Sequence, residues 1–344
     1  MKYRLFPNTN IKVSEVGFGL WTLSTGWWGE YTDDQAVELM RKALDLGITL
    51  FDAADTYGNG RSERLIAKAF PSRRDQIVVA TKFGYDFYHH AGERKGQREI
   101  AKDFSPKFLR FAVDEALKRL ETDVIDILQL HNIRMEQVDD DAVWETMEEI
   151  KASGKVRAYG IALGPAIGWL YEGKHCAEKR GPNVIQHIYN LLEQFPGREI
   201  LNATSGRQTR SLIRVTHSSG MLEGKYAEDT VFPPGDHRSH RPRSWLINGL
   251  KKIRTLEFLK SDGKRTLGQA ALQWLLADER IASTLPNIYN KEQLAEFASA
   301  PDTPPLSREE LYRCAELCAS NFGVEETEAP KFKGTMTLDQ PVST

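Results

Sequence analysis

From Val13 onward, short runs of β-branched and other apolar residues alternate with amphipathic segments of helical period, and the alternation continues along most of the chain. Strand, crossover helix and strand again is the signature of a parallel sheet, so this pattern restricts the fold more than any other feature. The apolar runs are VGFG, ITLFDA, QIVVAT, VIDILQL, VRAYGIA, VIQHIY, RSLIRV and IASTLP, eight of them within 344 residues, with no Pro/Ser-rich linker between. Eight such units fit a closed barrel better than two open sheets. The expected class is therefore α/β, a (β/α)8 TIM barrel forming a single domain over residues 1–344. KYRLF and IKVSEV, separated by PNTN, predict a β-hairpin ahead of the first unit.

Helix ends are equally specific. Thr32 and Gln35 form a capping box, Val37, Met40 and Leu44 share one face, and Gly47 stops the helix. Ser105 is an N-cap with Pro106 in the first helical position, where a missing N–H costs nothing. The segment AVWETMEEIKASG ends on Gly154. Ser307 with Glu310, stapled by Leu306 and Leu311, predicts a C-terminal helix packed on the barrel. Two connections, Phe83 to Asp103 and Gly220 to Arg243, are too long for simple turns and predict functional or mobile loops.

Composition narrows the partners. With 46 basic and 48 acidic residues, the chain has no electrostatic footprint for nucleic acid or an anionic membrane surface. There are three cysteines, Cys176, Cys314 and Cys318, too few for a disulfide framework, and no signal-like or membrane-spanning apolar segment is read, so the expected location is cytoplasmic. Cys314 and Cys318 share a helix face without further ligands beside them, and no metal is expected. The sequence is silent on oligomeric state.

In a barrel of this kind, residues at the C-terminal ends of the strands share one mouth. Asp52 ends the second strand, Tyr57 lies in the loop after it, Lys82 ends the third strand and His131 the fourth. A phenol is a weak acid at neutral pH, and a neighbouring ammonium favours its loss of a proton. Lys82 can supply that ammonium and Asp52 can hold it charged and oriented, while His131 can donate to a substrate oxygen beside the Tyr57 hydroxyl. Such a set protonates an oxygen on which negative charge develops, and it requires a separate hydride donor. Asp55 is assigned loop capping or support, and Ser62 and Arg64 are read as surface positions.

GITLFDAADTYGNGRSERLIAKAF, ATKFG and LQLHN resemble the Asp/Tyr, Lys and His motifs of the aldo-keto reductase superfamily, and the resemblance covers nearly the whole chain. It implies an NAD(P)H-dependent oxidoreductase that reduces an aldehyde or ketone to an alcohol, or the reverse, with Tyr57 as proton donor and Asp52, Lys82 and His131 in support. The alternatives on the same scaffold are a cofactor-binding redox sensor or regulatory protein, and a redox-assisted elimination or epimerisation. The implied cofactor is NADP(H), with NAD(H) as the alternative. No Gly-rich dinucleotide turn is present or required.

The resemblance also implies cofactor contacts. Asn132, Gln186 and the residue ending strand five would meet the nicotinamide amide. That last residue is Ala162, where the family usually has Ser or Asn. Arg214 falls where an aromatic ring usually stacks on the nicotinamide; its charge would disfavour the oxidised cofactor unless an acid compensates. His217 and Ser218, with Ser219, are candidate phosphate donors. Asn287, Tyr289, Lys291 and Gln293 are candidate adenosine contacts, Lys291 being the local cation for a 2′-phosphate unless HRSHRPR, residues 237–243, folds over it. Phe297 stands where Asn often meets adenine. Trp21, a further cofactor-side candidate, joins Trp27 and Trp28, and Tyr85, Phe87 and Tyr88, in aromatic walls suited to apolar, aromatic or sugar-like carbonyls. Trp28 and Tyr88 are expected to pack the loops.

Overall fold

The structure, a computed structural model, describes residues 1–90, 99–164, 168–326, 335–337 and 340–341. The predicted hairpin forms from β1 (Tyr3–Leu5) and β2 (Lys12–Ser14), paired antiparallel. Eight parallel strands follow: β3 (Phe18–Gly19), β4 (Leu50–Asp52), β5 (Val78–Phe83), β6 (Ile125–His131), β7 (Val156–Ala162), β8 (Val184–Ile188), β9 (Arg210–Arg214) and β10 (Ile281–Leu285). Each pairs with the next, and a parallel bridge between Val16 and Thr284 closes the circle. The closing hydrogen bonds run from Gly17 N to Thr284 O at 2.8 Å and from Thr284 N to Glu15 O at 2.9 Å. The fold is thus the (β/α)8 barrel that the alternation predicts.

Strand side chains alternate between two faces, and here the alternation separates two cores. Leu50, Val78, Ala80, Ile127, Ala158, Val184, Leu212 and Ala282 fill the barrel interior together with Phe6, Ile11 and Val13 of the hairpin, which plugs the floor. Phe51, Val79, Leu128, Ile161 and Ile185 point outward and pack under the helices. Two residues above the interior layer the same face reaches the mouth, so Leu50 leads to Asp52, Ala80 to Lys82, Ile127 to Gln129 and His131, Val184 to Gln186, and Leu212 to Arg214. Period alone therefore aims these polar groups into one space.

The helix ends match their signals. Thr32 and Gln35 make a reciprocal capping box on the helix Asp33–Asp45, as do Ser307 and Glu310 on Arg308–Ala319, and Ser105 caps Pro106–Leu120. The helix Arg308–Ala319 packs through Cys314, with Leu306 buried and Leu311 in contact beside it. After it a short pairing of Thr335–Thr337 with Gln340–Pro341 appears, which no sequence signal announces. Among the described residues no helix is long and apolar enough to cross a membrane.

The connection from Gly220 to Arg243 is not structureless. It contains the 3₁₀ turns Met221–Glu223 and His237–His240 and leads directly into the helix Arg243–Arg254. In the loop from Phe83 to Asp103, residues 91–98 lie outside the described residues, and Tyr85, Phe87 and Ile100 form a small buried cluster.

Candidate active site

The mouth of the barrel opens into a cavity of about 1070 Å³, lined at its centre by Asp52, Tyr57, Lys82 and His131. Lys82 is almost wholly buried, and its Nζ donates to Asp52 Oδ2 and to the Ala53 carbonyl, both at 2.7 Å. A buried charge is tolerable only when paired and hydrogen-bonded, which these contacts provide. Asp52 Oδ1 accepts from Gln186 Nε2 at 2.9 Å and Gln129 Nε2 at 3.2 Å. Both carboxylate oxygens are thereby fixed. Gln186, expected at a nicotinamide amide, lines the cavity and uses an N–H to orient Asp52.

Lys82 Nζ lies 5.0 Å from the centre of the Tyr57 ring, and the His131 ring meets Tyr57 edge-on at 5.9 Å. The loop carrying Tyr57 is tied down at both ends. Ala53 N donates to Ala80 O at 2.8 Å, Asp55 N to Lys82 O at 3.2 Å and Ser62 N to Tyr57 O at 3.2 Å. Gly58 has φ of 60°, and a side chain there would meet Ser24 O at 2.5 Å, so only glycine lets the loop approach this closely. Ser62 is fully buried, its hydroxyl donating to Ala54 O at 2.8 Å, which corrects its reading as a surface residue. The signal was available: Ser62, Leu65, Ile66 and Ala69 lie on the buried face of one helix. Arg64 is exposed, as expected of it.

Tyr85 packs edge-on to His131 at 4.9 Å and accepts a hydrogen bond from Asn132 Nδ2 at 2.5 Å. Its own hydroxyl donates to Glu99 Oε1 at 2.7 Å. Asn132, the second expected nicotinamide contact, thus reaches the wall on the Tyr85 side. Glu99 had no sequence signal, because a loop residue reaches the site only through tertiary folding. Arg214 lines the cavity and donates through Nη2 to Leu163 O at 2.9 Å and to Gly164 O, bracing the end of β7. Burial works against its charge, with Tyr57 and Asp52 opposing that effect.

Further along the mouth the candidates divide. Ser218 and Ser219 line the cavity, and Arg241 Nη2 donates to Ser219 Oγ at 3.1 Å. Arg241 Nε is buried without a hydrogen-bond partner, which suits an incoming anion. His217 is turned away: Nε2 approaches Gly268 O at 3.0 Å, the ring stacks on Phe297 at 4.4 Å, and burial pulls its pKa down to about 4. It is a neutral core residue and not a phosphate donor, and Phe297 is core with it. Asn287 lines the cavity and contacts Thr22 Oγ1 at 3.3 Å. Tyr289 stacks on Trp28 with centroids 6.3 Å apart, and Gln293 is fully buried. Lys291 is exposed and paired with Glu38 at the surface.

The aromatic wall is real at Trp21, which meets Trp27 at 5.5 Å and His237 at 5.2 Å, all three lining the cavity. Trp28 also touches the cavity, whereas Tyr88 packs on Phe108 and Phe111 of the neighbouring helix. Phe87 packs against Tyr88 with ring centroids 4.1 Å apart and the planes tilted, and it does not line the cavity. Among the described residues no group of His, Cys, Asp and Glu is arranged to hold a metal ion.

The mouth of the barrel thus gathers an ion-paired lysine, a phenol and an imidazole in one space. The aldo/keto reductase family model matches residues 15–319, and the chain belongs to that family. It is 30% identical over 328 residues to L-glyceraldehyde 3-phosphate reductase of Escherichia coli O157:H7, covering 90% of each chain. It is 30% identical over 285 residues to aldo-keto reductase YhdN of Bacillus subtilis, covering 80% of this chain and 81% of that one. The holo form of an aldo-keto reductase from Bacillus halodurans superposes with a TM-score of 0.73 at 26% identity, over 92% of this chain and 96% of the other.

Proposed function

We propose that this oxidoreductase reduces the carbonyl of a small aldehyde or ketone to an alcohol, or runs the reverse reaction, with Tyr57 as the proton donor. The observation that carries the reading is the Lys82 ammonium held by Asp52 and the Ala53 carbonyl and facing the Tyr57 ring at 5.0 Å. A reduced nicotinamide dinucleotide supplies the hydride when bound. The residues present fit one: the cavity exceeds the size that a drug-sized ligand ordinarily fills, and Arg241, Ser218 and Ser219 offer donors to a diphosphate.

The protein's own part is proton delivery and placement. As the carbonyl oxygen gains negative charge, the Tyr57 hydroxyl gives up its proton to it, and the charge left on the phenol is compensated by Lys82. His131, beside Tyr57, helps to hold the substrate oxygen. Asp52 keeps Lys82 in place and is itself oriented by Gln129 and Gln186. The names of relatives, which include L-galactose dehydrogenase and NADH-specific methylglyoxal reductase, put sugars and small oxoaldehydes first among substrates to try. With its free cysteines and balanced charge, we place the enzyme in the cytoplasm.

The test is oxidation of NADH and NADPH with a panel of aromatic, aliphatic and sugar carbonyls. Tyr57→Phe should lower kcat by roughly 10²- to 10⁴-fold, the usual worth of a positioned general acid, with dinucleotide binding preserved. Full turnover by the variant would remove Tyr57 from the role. Dinucleotide binding with no turnover on any carbonyl would overturn the enzymatic reading.

A further inference from the structure

Beside His131 the wall of the mouth carries a carboxylate to which proton donation by Tyr57 gives no part. Glu99, Tyr85, His131 and Asn132 all line the cavity there, and the Glu99 side chain is 32% exposed while the other three residues are buried. Two stretches of one loop build this wall. Asp86 N donates to Ala101 O at 2.9 Å, Asp103 N donates to Gly84 O at 2.8 Å, and Tyr85 forms an antiparallel bridge with Lys102. The short ladder brings Glu99 back to the Tyr85 hydroxyl, which donates to its Oε1 at 2.7 Å. Tyr85 is itself fixed, packed in a buried cluster with Phe87 and Ile100.

Two cations stand by the carboxylate. Lys102 Nζ donates to Glu99 Oε2 at 3.3 Å and to Asn132 O at 3.1 Å, and Arg134 Nη2 lies 3.6 Å from the same Oε2. Neither cation lines the cavity, so a ligand in the mouth meets the carboxylate and not its counter-charges. Burial works against the charge on Glu99, but Lys102, the Tyr85 hydroxyl and Arg134 outweigh it and hold the pKa below the ordinary value. The group is an anion at neutral pH. An ionised carboxylate accepts at about four lone-pair sites and donates at none. Tyr85 and Lys102 occupy one site each, and Asn132 Nδ2, at 3.4 Å from Oε1, bears weakly on another. Acceptor capacity is left for a donor in the cavity.

We propose that Glu99 accepts a hydrogen bond from a hydroxyl group of the substrate, so that the preferred substrates are neutral carbonyl compounds hydroxylated on the carbons next to the carbonyl. This rests on the reading of the mouth as a carbonyl-reducing site. With the carbonyl oxygen between Tyr57 and His131, the neighbouring carbons run past the imidazole toward Tyr85, whose ring meets His131 at 4.9 Å. A hydroxyl there donates to Glu99. A methylene or methyl group in its place displaces water from the carboxylate and returns no hydrogen bond, which is the costly half of the comparison. A site built to bond a hydroxyl therefore rejects the analogue lacking it more strongly than an apolar wall rejects one carbon too many. Glu99 acts on substrate choice and takes no part in the proton transfer.

The experiment compares kcat/KM for glyceraldehyde and for propanal, which share a chain length and an aldehyde and differ in their hydroxyls. A hydrogen bond to a charged group is worth a factor of about 10 to 150, so the wild type should favour glyceraldehyde by about 10-fold or more. Glu99→Ala removes the carboxylate, and Glu99→Gln keeps its shape and loses its charge. The intrinsic reactivities of the two aldehydes cancel when the ratio is compared between proteins. Glu99→Ala should shrink that ratio by about 10-fold or more and Glu99→Gln by less, chiefly through a raised KM for glyceraldehyde, since the contact is present before and during the reaction. A wild type that favours propanal, or a ratio unmoved in variants whose melting temperature matches the wild type, would overturn recognition by Glu99. Loss of turnover of both aldehydes in Tyr57→Phe would show that the carbonyl-reducing reading survives such a result. If the wild type turns over no carbonyl at all, that reading is at fault and the inference falls with it.

Discussion

Asp55 lies two residues before Tyr57 and is completely enclosed. Neither carboxyl oxygen makes a well-formed hydrogen bond, the Thr56 N–H giving partial relief. Burial, reinforced by the Glu63 carboxylate, raises its pKa well above the ordinary value, against the pull of Arg119 and Lys82. The folded protein therefore holds a proton on Asp55 to higher pH than the unfolded chain, which releases it above about pH 4. Over the window from that pH up to the raised native pKa, stability contributed by this group declines as pH rises. Asp55→Asn carries no titrating proton there. Urea unfolding at intervals between pH 5 and 8 should show the variant gaining on the wild type as pH increases, and parallel curves would show that Asp55 is not linked to folding. This is a larger role than the loop capping the sequence implies. Asp52, Lys82 and His131 were readable because a strand's period and its end determine where they point, and Tyr57 because it lies in the short loop directly after β4. His217, Tyr289 and Lys291 were not, because Phe297, Glu223 and Glu38, distant in sequence, decide their directions.

Elements were legible where local chemistry dictates them. The capping boxes at Thr32 and Ser307, the proline at the start of Pro106–Leu120 and the eight apolar runs all carry their own signals. Strand β5 extends two residues beyond the run QIVVAT, which is why Lys82 lies within a strand and not after one. The turns inside residues 220–243 left no periodic trace, since cation and aromatic contacts hold them. The hairpin was legible as a hairpin and its task was not. Phe6 is 1% exposed among the interior residues of the barrel strands, so the hairpin is the floor of the core. Arg4 fastens it, donating to Asp278 O at 2.8 Å, Ile281 O at 2.6 Å and Leu276 O. Phe6→Ala should cost about 3–5 kcal/mol, the usual price of emptying a buried aromatic site. The fall would be read from the urea midpoint, and an unchanged midpoint would mean that the floor contributes no core.

At the scale of the whole molecule, the mouth is covered by parts of the chain far apart in sequence. Trp21, Trp27 and Trp28 come from the loop after β3, His237 and Arg238 from the loop after β9, and Tyr289 from the loop after β10. His237 N donates to Trp27 O at 2.8 Å, joining the first two of these loops. The Arg238 guanidinium lies 4.2 Å from the Trp28 ring centre and 4.7 Å from that of Phe232, while bound to Asp236 and Tyr226. Trp28 stacks in turn on Tyr289. A cation held over an aromatic face is worth up to about 2 kcal/mol when desolvated, or about 30-fold in an opening equilibrium. Ser218, Ser219 and Arg241, the diphosphate candidates, lie within or beside the same loop, so a bound dinucleotide must leave past it. Arg238→Ala should therefore speed dinucleotide release by about 10- to 30-fold, measured by stopped-flow displacement, with a smaller effect on association because affinity changes are expressed mostly in dissociation. The same variant should be cut faster by protease between residues 225 and 243, since the contacts it loses are those that order the segment. Unchanged release with faster proteolysis would separate the loop's order from ligand exit, and unchanged proteolysis would show that Arg238 does not hold the loop at all.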